Sequence, residues 1–493
     1  MAQAATKLAD AIDAVDWEAL VGVEVALNVV TPLGRVVLAG PGDDIHAPED
    51  EALSGPLAFI LDTGGDDDWA IAAGANADPE HPLSVAIDLA GDDWYGYNVV
   101  EHEEDHPLLL PSDEGGRFTS VDRHHPEDGP KSRSRIGRQG SGRMGVGILV
   151  DLSGNDQYRS LRMSQGFGDL GYGVLADWAG DDQYEAEAGA QGAGAFGAGL
   201  ILDGGGADTY KVWHRGQGFG GPKGVGLALD LDGDDQWLAV RGEDGDPDVL
   251  YDLEDIDPGA SNRSQSQGVG WGRSILDSDD FVSMRDVFLP MIAGGVGVLR
   301  DVRGNDTYTA AGFAQGMGRH HGVGALMDSA GDDSYSLRAR GLGYGEQAGA
   351  GFLLDAAGDD SYNADNDWIF AGTLGGAQDW GVGVAIDESG DDVYMADSVS
   401  LGGVREIGLA LFIDNRGDDS YETFNTHSFG AAEAHNPGAF PRNFWRNVRN
   451  LGSFIDASGT DSYRRRDLRN PDEDTPPIGD DSNWFQDQGQ QKS

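Results

Sequence analysis

The chain is 493 residues long and carries 86 acidic against 33 basic side chains, a formal charge of −53, with no cysteine. That balance argues against nucleic acid or an anionic membrane as partner, because phosphate binding needs Lys and Arg where this chain has Asp, and it makes a cation the natural ligand. The absence of Cys excludes disulfides and thiolate metal sites and fits an exported protein; no apolar run reaches the roughly 18 residues of a membrane span, and no charged-then-apolar leader opens the chain.

The first segment, 1–35, contains "ATKLADAIDAVDWEAL", which puts Leu8, Ile12, Val15 and Ala19 on one helical stripe. The spacing predicts a helix that covers the open end of whatever follows. "GPGDDIHAP" at 40–48 is a worn copy of the pattern that governs the rest.

From 36 to 464 one sentence is repeated: apolar, any, apolar, Asp, two free residues, Gly, usually Asp or Asn, Asp, one free residue, then Tyr or Trp. Its first Asp falls at Asp62, Asp88, Asp151, Asp177, Asp203, Asp230, Asp301, Asp328, Asp355, Asp387, Asp414 and Asp456. Seven of the eleven intervals are 26 or 27 residues; the others, 63, 71, 32 and 42, read as rungs carrying insertions. A fixed period of this size is the signature of a solenoid. The expected fold is all-β: a right-handed parallel β-helix, or β-solenoid, of about 13 rungs and roughly 60 Å in length from the strand spacing, with an N-terminal helical cap. The 77 Gly sit mostly at fixed rung positions, which points to turns rather than disorder.

Within a rung, the residues one and three before the first Asp are apolar, as in Val85 and Ile87 or Val384 and Ile386. A period of two predicts a short strand with those side chains facing inward. The aromatic seven residues after the first Asp, Tyr ten times and Trp at Trp69 and Trp237, should stack as a ladder. A Gly-rich corner follows, with Gln139, Gln165, Gln191 and Gln217 spaced 26 apart; these are read as satisfying backbone at the turn.

Insertions interrupt the array at 96–137, 238–293 and 422–452. The first holds "EHEEDH" and then Lys131, Arg133, Arg135 and Arg138, the second the apolar "FVSMRDVFLPMI", the third "FPRNFWRNVRN". They are expected to pack on the solenoid flank, either as the main recognition site or as lids and end caps. Residues 465–493 read as a polar, flexible tail.

"SGNDQY" and "RGNDTY" resemble the nonapeptide of haemolysin-type, RTX-like calcium-binding repeats. That resemblance implies calcium held at a Gly-rich turn by an Asp and backbone carbonyls, with Asp67, Asp93, Asp156, Asp182, Asp208, Asp235, Asp306, Asp333, Asp360, Asp392, Asp419 and Asp461 as the ligands. Two departures stand beside it: Asp replaces the opening Gly pair, and the motif comes once per rung. The repeat is also similar to uncharacterised bacterial β-solenoid repeat proteins, a likeness that brings no function.

An electrostatic argument stands without the resemblance. Equivalent Asp residues of adjacent rungs lie about 4.8 Å apart, and two such charges repel by roughly 0.9 kcal/mol in bulk water and about 3.5 kcal/mol at an effective dielectric of 20. No Lys or Arg recurs to offset this, whereas oxygen-rich turns suit Ca²⁺. The alternative is plain turn architecture: the first Asp makes an Asx-turn, the Gly takes positive φ, and the second Asp accepts backbone N–H bonds from the next rung.

Other motifs carry little. "HEEDH" at 102–106 has the spacing of a zinc protease without its helix, and the paired His of "RHHPED" at 123 and "RHHG" at 319 read as solvent-exposed loop residues. No serine nucleophile elbow, phosphate loop or dinucleotide fingerprint is present. The expected function is a calcium-stabilised scaffold, structural or adhesive, at the cell surface or outside the cell, binding an unknown protein or polysaccharide through its insertion loops. The alternative is a polysaccharide-degrading β-helix enzyme with its site beside an insertion.

Overall fold

The structure is a computed structural model and describes residues 2–76, 79–97, 134, 136–239, 264–272, 294–364, 372–424, 428–433, 450–467, 470–475 and 483–487. The chain divides into two compact units, Met1–Phe219 with Gly224–Ser264, and Gly220–Lys223 with Gln265–Ser493. Both are built from parallel strands in which each residue pairs with its equivalent one repeat later, as expected of an all-β parallel solenoid.

In the first unit, Leu57–Leu61, Leu83–Ile87, Val146–Val150, Tyr172–Ala176, Ala198–Leu202 and Val225–Leu229 stack in that order as a first sheet, with Val146 opposite Tyr172 and Tyr172 opposite Ala198. Trp94–Tyr95, Gln157–Arg159, Gln183–Ala188 and Thr209–His214 form a second sheet, Tyr158 facing Tyr184 and Tyr184 facing Tyr210. Two-residue strands such as Gly142–Arg143 and Gly168–Asp169 make a third. The second unit repeats the scheme: Val323–Met327 and Ala350–Asp355 belong to its first sheet, Thr307–Gly312 and Ser334–Ala339 to its second, Gly318–Arg319 and Gly345–Glu346 to its third.

The turn between first and second strands shows why Gly recurs. Gly180 sits at φ 155°, and a Cβ there would lie 1.5 Å from the carbonyl oxygen of Gly154 in the neighbouring rung. Only a residue without a side chain allows that approach.

The core differs from the expectation by one residue of phase. The position two before the first Asp faces inward: Leu149, Leu175, Leu299 and Leu326 are fully buried, and Phe412 and Phe454 meet the tyrosines edge-on, Phe412 lying 5.2 Å from Tyr394. The residues one and three before it point outward. A run such as "GILVD" is apolar on both faces of its strand, as parallel strands commonly are, so alternation alone does not fix the phase.

The helix forms over Ala2–Asp13, but its Ala5, Leu8 and Ile12, with Trp17 and Leu20, pack on Leu61, Val85, Ile87, Val146, Ile148 and Val150. It therefore covers the outer face of the first sheet across successive rungs, where the sequence suggested an end cap; Val15 is exposed. Leu27–Thr31 pairs antiparallel with Gly34–Leu38 before the parallel stack begins. In the worn copy, His46 occupies the aromatic position and lies 4.2 Å from Trp69.

At the other end, the segment read as a polar tail includes Asn470–Thr475 and Asn483–Asp487, which pair antiparallel with Ser462–Asp467 and Leu451–Asp456. Of the insertions, residues 264–272 belong to the repeat and contribute the third-sheet strand Gly270–Trp271; the apolar stretch at 281–292, the aromatic stretch at 440–449 and "HEEDH" lie outside the described residues.

Candidate metal centre

Two columns of aspartate run through each unit, both taken out of water. All twelve first-column residues are at most 3 % exposed, as are eleven of the twelve second-column residues; Asp461 is half-buried. Their partners are fixed by the repeat.

In the first column, one oxygen closes an Asx-turn at Asp62, Asp88, Asp151, Asp177, Asp203, Asp230, Asp328 and Asp387, whereas Oδ1 of Asp355, Asp414 and Asp456 is buried without a partner. Asp151 Oδ1 accepts the N–H of Ser153 at 3.2 Å and Asp177 Oδ1 that of Ala179 at 3.3 Å. From Tyr95 to Tyr362 the other oxygen accepts a tyrosine hydroxyl from the preceding rung, as from Tyr158 to Asp177 and Tyr184 to Asp203, both 2.6 Å. In the last rungs Tyr394 donates to Asp392 instead, and Tyr421 and Tyr463 to Asp414 and Asp456 of their own rungs. The tyrosines stack 4.7–4.8 Å apart within 6° of parallel, the ladder expected from the sequence. Burial first, then the flanking aspartates, pushes the Tyr158 and Tyr184 hydroxyls well above their ordinary range, so each remains a donor.

In the second column, Oδ1 accepts the backbone N–H of the equivalent Asp one rung earlier. Asp93 bonds Asp67, Asp156 bonds Asp93, Asp182 bonds Asp156 and Asp208 bonds Asp182, each at 2.6 Å. Asp235 continues the run at 2.7 Å. In the second unit Asp333, Asp360, Asp392, Asp419 and Asp461 accept from Asp306, Asp333, Asp360, Asp392 and Asp419 at 2.7–3.0 Å. The Asx-turns, the positive-φ glycines and these rung-to-rung bonds make up the turn architecture set out as an alternative.

That architecture leaves an oxygen over. Oδ2 of Asp67, Asp93, Asp156, Asp182, Asp208, Asp333, Asp360 and Asp419 is buried without a hydrogen-bond partner. Each faces the first column: Asp151, Asp156 and Asp177 hold carboxylate oxygens within 4.8 Å of one another, as do Asp88, Asp93 and Asp151, and Asp182, Asp203 and Asp208. Asp93 and Asp156 thus each lie between two first-column residues of adjacent rungs, whereas Asp203 of the first column lies between Asp182 and Asp208 of the second. Sequence reasoning named the second column and passed over the first as ligands, although Asp62 to Asp456 recur as faithfully; the missing signal was that both columns face one another across the turn.

Three carboxylates cannot remain charged together in so dry a place. Burial, followed by the neighbouring aspartates, pushes Asp156 up to about 11 and Asp208 to about 10, and burial pushes Asp151 to about 8. Either protons or a cation must neutralise the columns. Donors that are all oxygen, arranged as carboxylate triads with an unpaired atom aimed inward, fit a hard cation such as Ca²⁺.

The Gln column meets its expectation. Gln165 donates through Nε2 to the carbonyls of Tyr158 at 3.0 Å and Glu185 at 3.1 Å, and Gln191 to those of Tyr184 and Lys211.

A different group breaks the monotony of the third corner in the second unit. Arg319 pairs with Glu346 at 2.7 Å, its guanidinium lies 4.7 Å from the Trp271 ring, and Arg340 approaches Glu346 at 3.7 Å. His320, expected in an exposed loop, is buried edge-on against Trp271; burial lowers it to about 4. Only His321 of that pair is exposed, and the pair at 124–125 lies outside the described residues. Comparison with protein-family models, curated proteins and solved structures returns no match.

Proposed function

We propose that the chain is a calcium-stabilised scaffold, a parallel β-solenoid of about 13 rungs with a structural or adhesive role at the cell surface or outside the cell. The observation that carries this reading is the recurrence of buried carboxylate triads, with an unpaired Oδ2 at Asp67, Asp93, Asp156, Asp182, Asp208, Asp333, Asp360 and Asp419. Asp67, Asp93, Asp156, Asp182, Asp208, Asp235, Asp306, Asp333, Asp360, Asp392, Asp419 and Asp461 would hold the ions together with the first-column residues beside them. Calcium would supply the positive charge that the columns lack, and the insertion loops would meet a protein or polysaccharide. The test is the metal content, by mass spectrometry, of protein equilibrated with calcium and desalted: several ions per chain support the reading, and less than one contradicts it.

One observation favours the enzyme alternative, a polysaccharide-degrading β-helix. Arg319, Glu346, His320 and Trp271 converge at the strand Gly270–Trp271, which falls within the 238–293 segment of the sequence, and burial keeps His320 neutral near pH 7. Turnover of an acidic or neutral polysaccharide, lost in Glu346→Gln with the fold intact, is the result that would move the assignment to this reading.

A further inference from the structure

The two large sheets present opposite surfaces. In the second unit the outer side of the second sheet is mostly polar, with Thr307, Ser334, Ser361 and Ser420 sharing one outward column with the exposed Val393. The outer side of the first sheet is largely apolar: Val298, Ala325, Phe352, Val384 and Leu411 share one column that continues to Ser453, and Val296, Val323 and Leu409 beside it are 38–40 % exposed, with Arg300 the exposed charge at its first strand. Parallel sheets are normally covered on both faces, and an apolar surface of this extent marks an interaction site.

Two observations say what fits there. First, in the first unit the same face is covered by a helix: Leu8 and Ile12 of Ala2–Asp13 rest on Val85, Ile87, Ile148 and Val150. Second, the turns after four of the six first-sheet strands of the second unit carry an exposed acid, with Asn305 and Thr460 at that position in the other two. In the second unit Asp332, Asp359, Asp391 and Asp418 form a ladder in which each N–H is accepted by the preceding Oδ1 at 2.8–3.0 Å. These carboxylates border the apolar face along the stacking direction.

We infer that the outer face of the first sheet in the second unit docks an amphipathic helix of a partner protein, its apolar stripe on Val298, Phe352, Val384 and Leu411 and its Lys or Arg flank along Asp359, Asp391 and Asp418. Six strands at about 4.8 Å span roughly 24 Å, the length of a helix of about 16 residues. The inference draws on none of the carboxylate triads, so it stands apart from the calcium reading.

The experiment uses the full chain in calcium buffer and two fluorescent 18-residue synthetic peptides of identical composition. One has Leu at positions i, i+3, i+4 and i+7 with Lys opposite; the other has the same residues distributed around the helix. Anisotropy titration should show saturable binding of the amphipathic peptide only. Phe352→Asp with Val384→Asp should weaken it by about tenfold or more, as expected at the centre of an interface. Asp359→Asn with Asp391→Asn, which leaves the apolar face intact, should weaken it less and flatten its salt dependence. Equal binding of both peptides, or binding unchanged in the Asn pair, overturns the inference. So does a dimer in sedimentation that Phe352→Asp dissolves, since the face would then belong to a second copy.

Discussion

The backbone N–H of Asp156 donates to Oδ1 of Asp182 at 2.6 Å, while Oδ2 of the same Asp182 carboxylate is buried without a partner. One oxygen ties a rung to its neighbour, and the other is left for a proton or a metal. Charge-assisted bonds of this kind are among the stronger ones, and their repetition explains why the repeat keeps its second Asp. Asn in its place would keep the bond and lose the charge.

The columns should make stability depend on pH in an unusual direction. Burial pushes Asp182 up to about 9 and Asp419 to about 8 from an ordinary 3.8. Between pH 4 and those values the folded chain holds protons that the unfolded chain has released, so stability falls as pH rises. In chelator, the melting temperature should therefore fall between pH 5 and pH 10. Added calcium should flatten that fall by taking the place of the protons. A melting temperature that rises with pH in chelator would contradict the neutralisation argument.

The tyrosine ladder should be more than packing. Tyr184→Phe keeps the stack but leaves Asp203 Oδ2 without its 2.6 Å donor. Removing one partner of a buried bond costs about 1–3 kcal/mol, so the midpoint of thermal or denaturant unfolding should fall. An unchanged midpoint would reduce the hydroxyl to a bystander.

How much of this was legible follows from what each residue repeats. Both aspartates, the glycine and the tyrosine keep the same place in the sentence, and the structure puts each in a column of its own kind. The phase of the strand was not legible, because Ile148, Leu149 and Val150 are all apolar and only the tyrosine ladder on one side distinguishes in from out. The seat of the helix followed from that misreading: a stripe of Leu8 and Ile12 needs an apolar surface, and the outer face had been assigned to the core. His320 was misjudged because its burial depends on Trp271, 49 residues away in sequence. The exposed acids Asp332, Asp359 and Asp391 were visible in the pattern, but their bearing on the apolar face required knowing which side of the strand they flank.

The glycine column should tolerate no side chain. Gly180→Ala places a methyl 1.5 Å from the Gly154 carbonyl oxygen at a φ that L residues disfavour, so the neighbouring rung must shift. Circular dichroism melts should show a loss larger than the roughly 1 kcal/mol typical of single substitutions. Full stability in the Ala variant would mean that the rungs are not held this closely.

The scaffold reading also carries a negative expectation. Among the described residues the acid triads recur along the repeat, so no release of reducing sugar or unsaturated product is expected from a panel of acidic and neutral polysaccharides. Turnover that depends on Glu346 would favour the enzyme.

The most direct test of the central claim compares thermal melts, with calcium and with chelator, of the wild type and of Asp182→Asn with Asp208→Asn. A ligand that binds only the folded chain stabilises it by about 2.7 kcal/mol per site at a hundredfold excess over its dissociation constant. If calcium neutralises the columns, chelator lowers the wild-type melting temperature, and the two Asn both lower the melting temperature in calcium and shrink the chelator shift. A wild type indifferent to chelator, and made more stable by the two Asn, would contradict the claim and leave the aspartate columns as proton-sharing turn architecture.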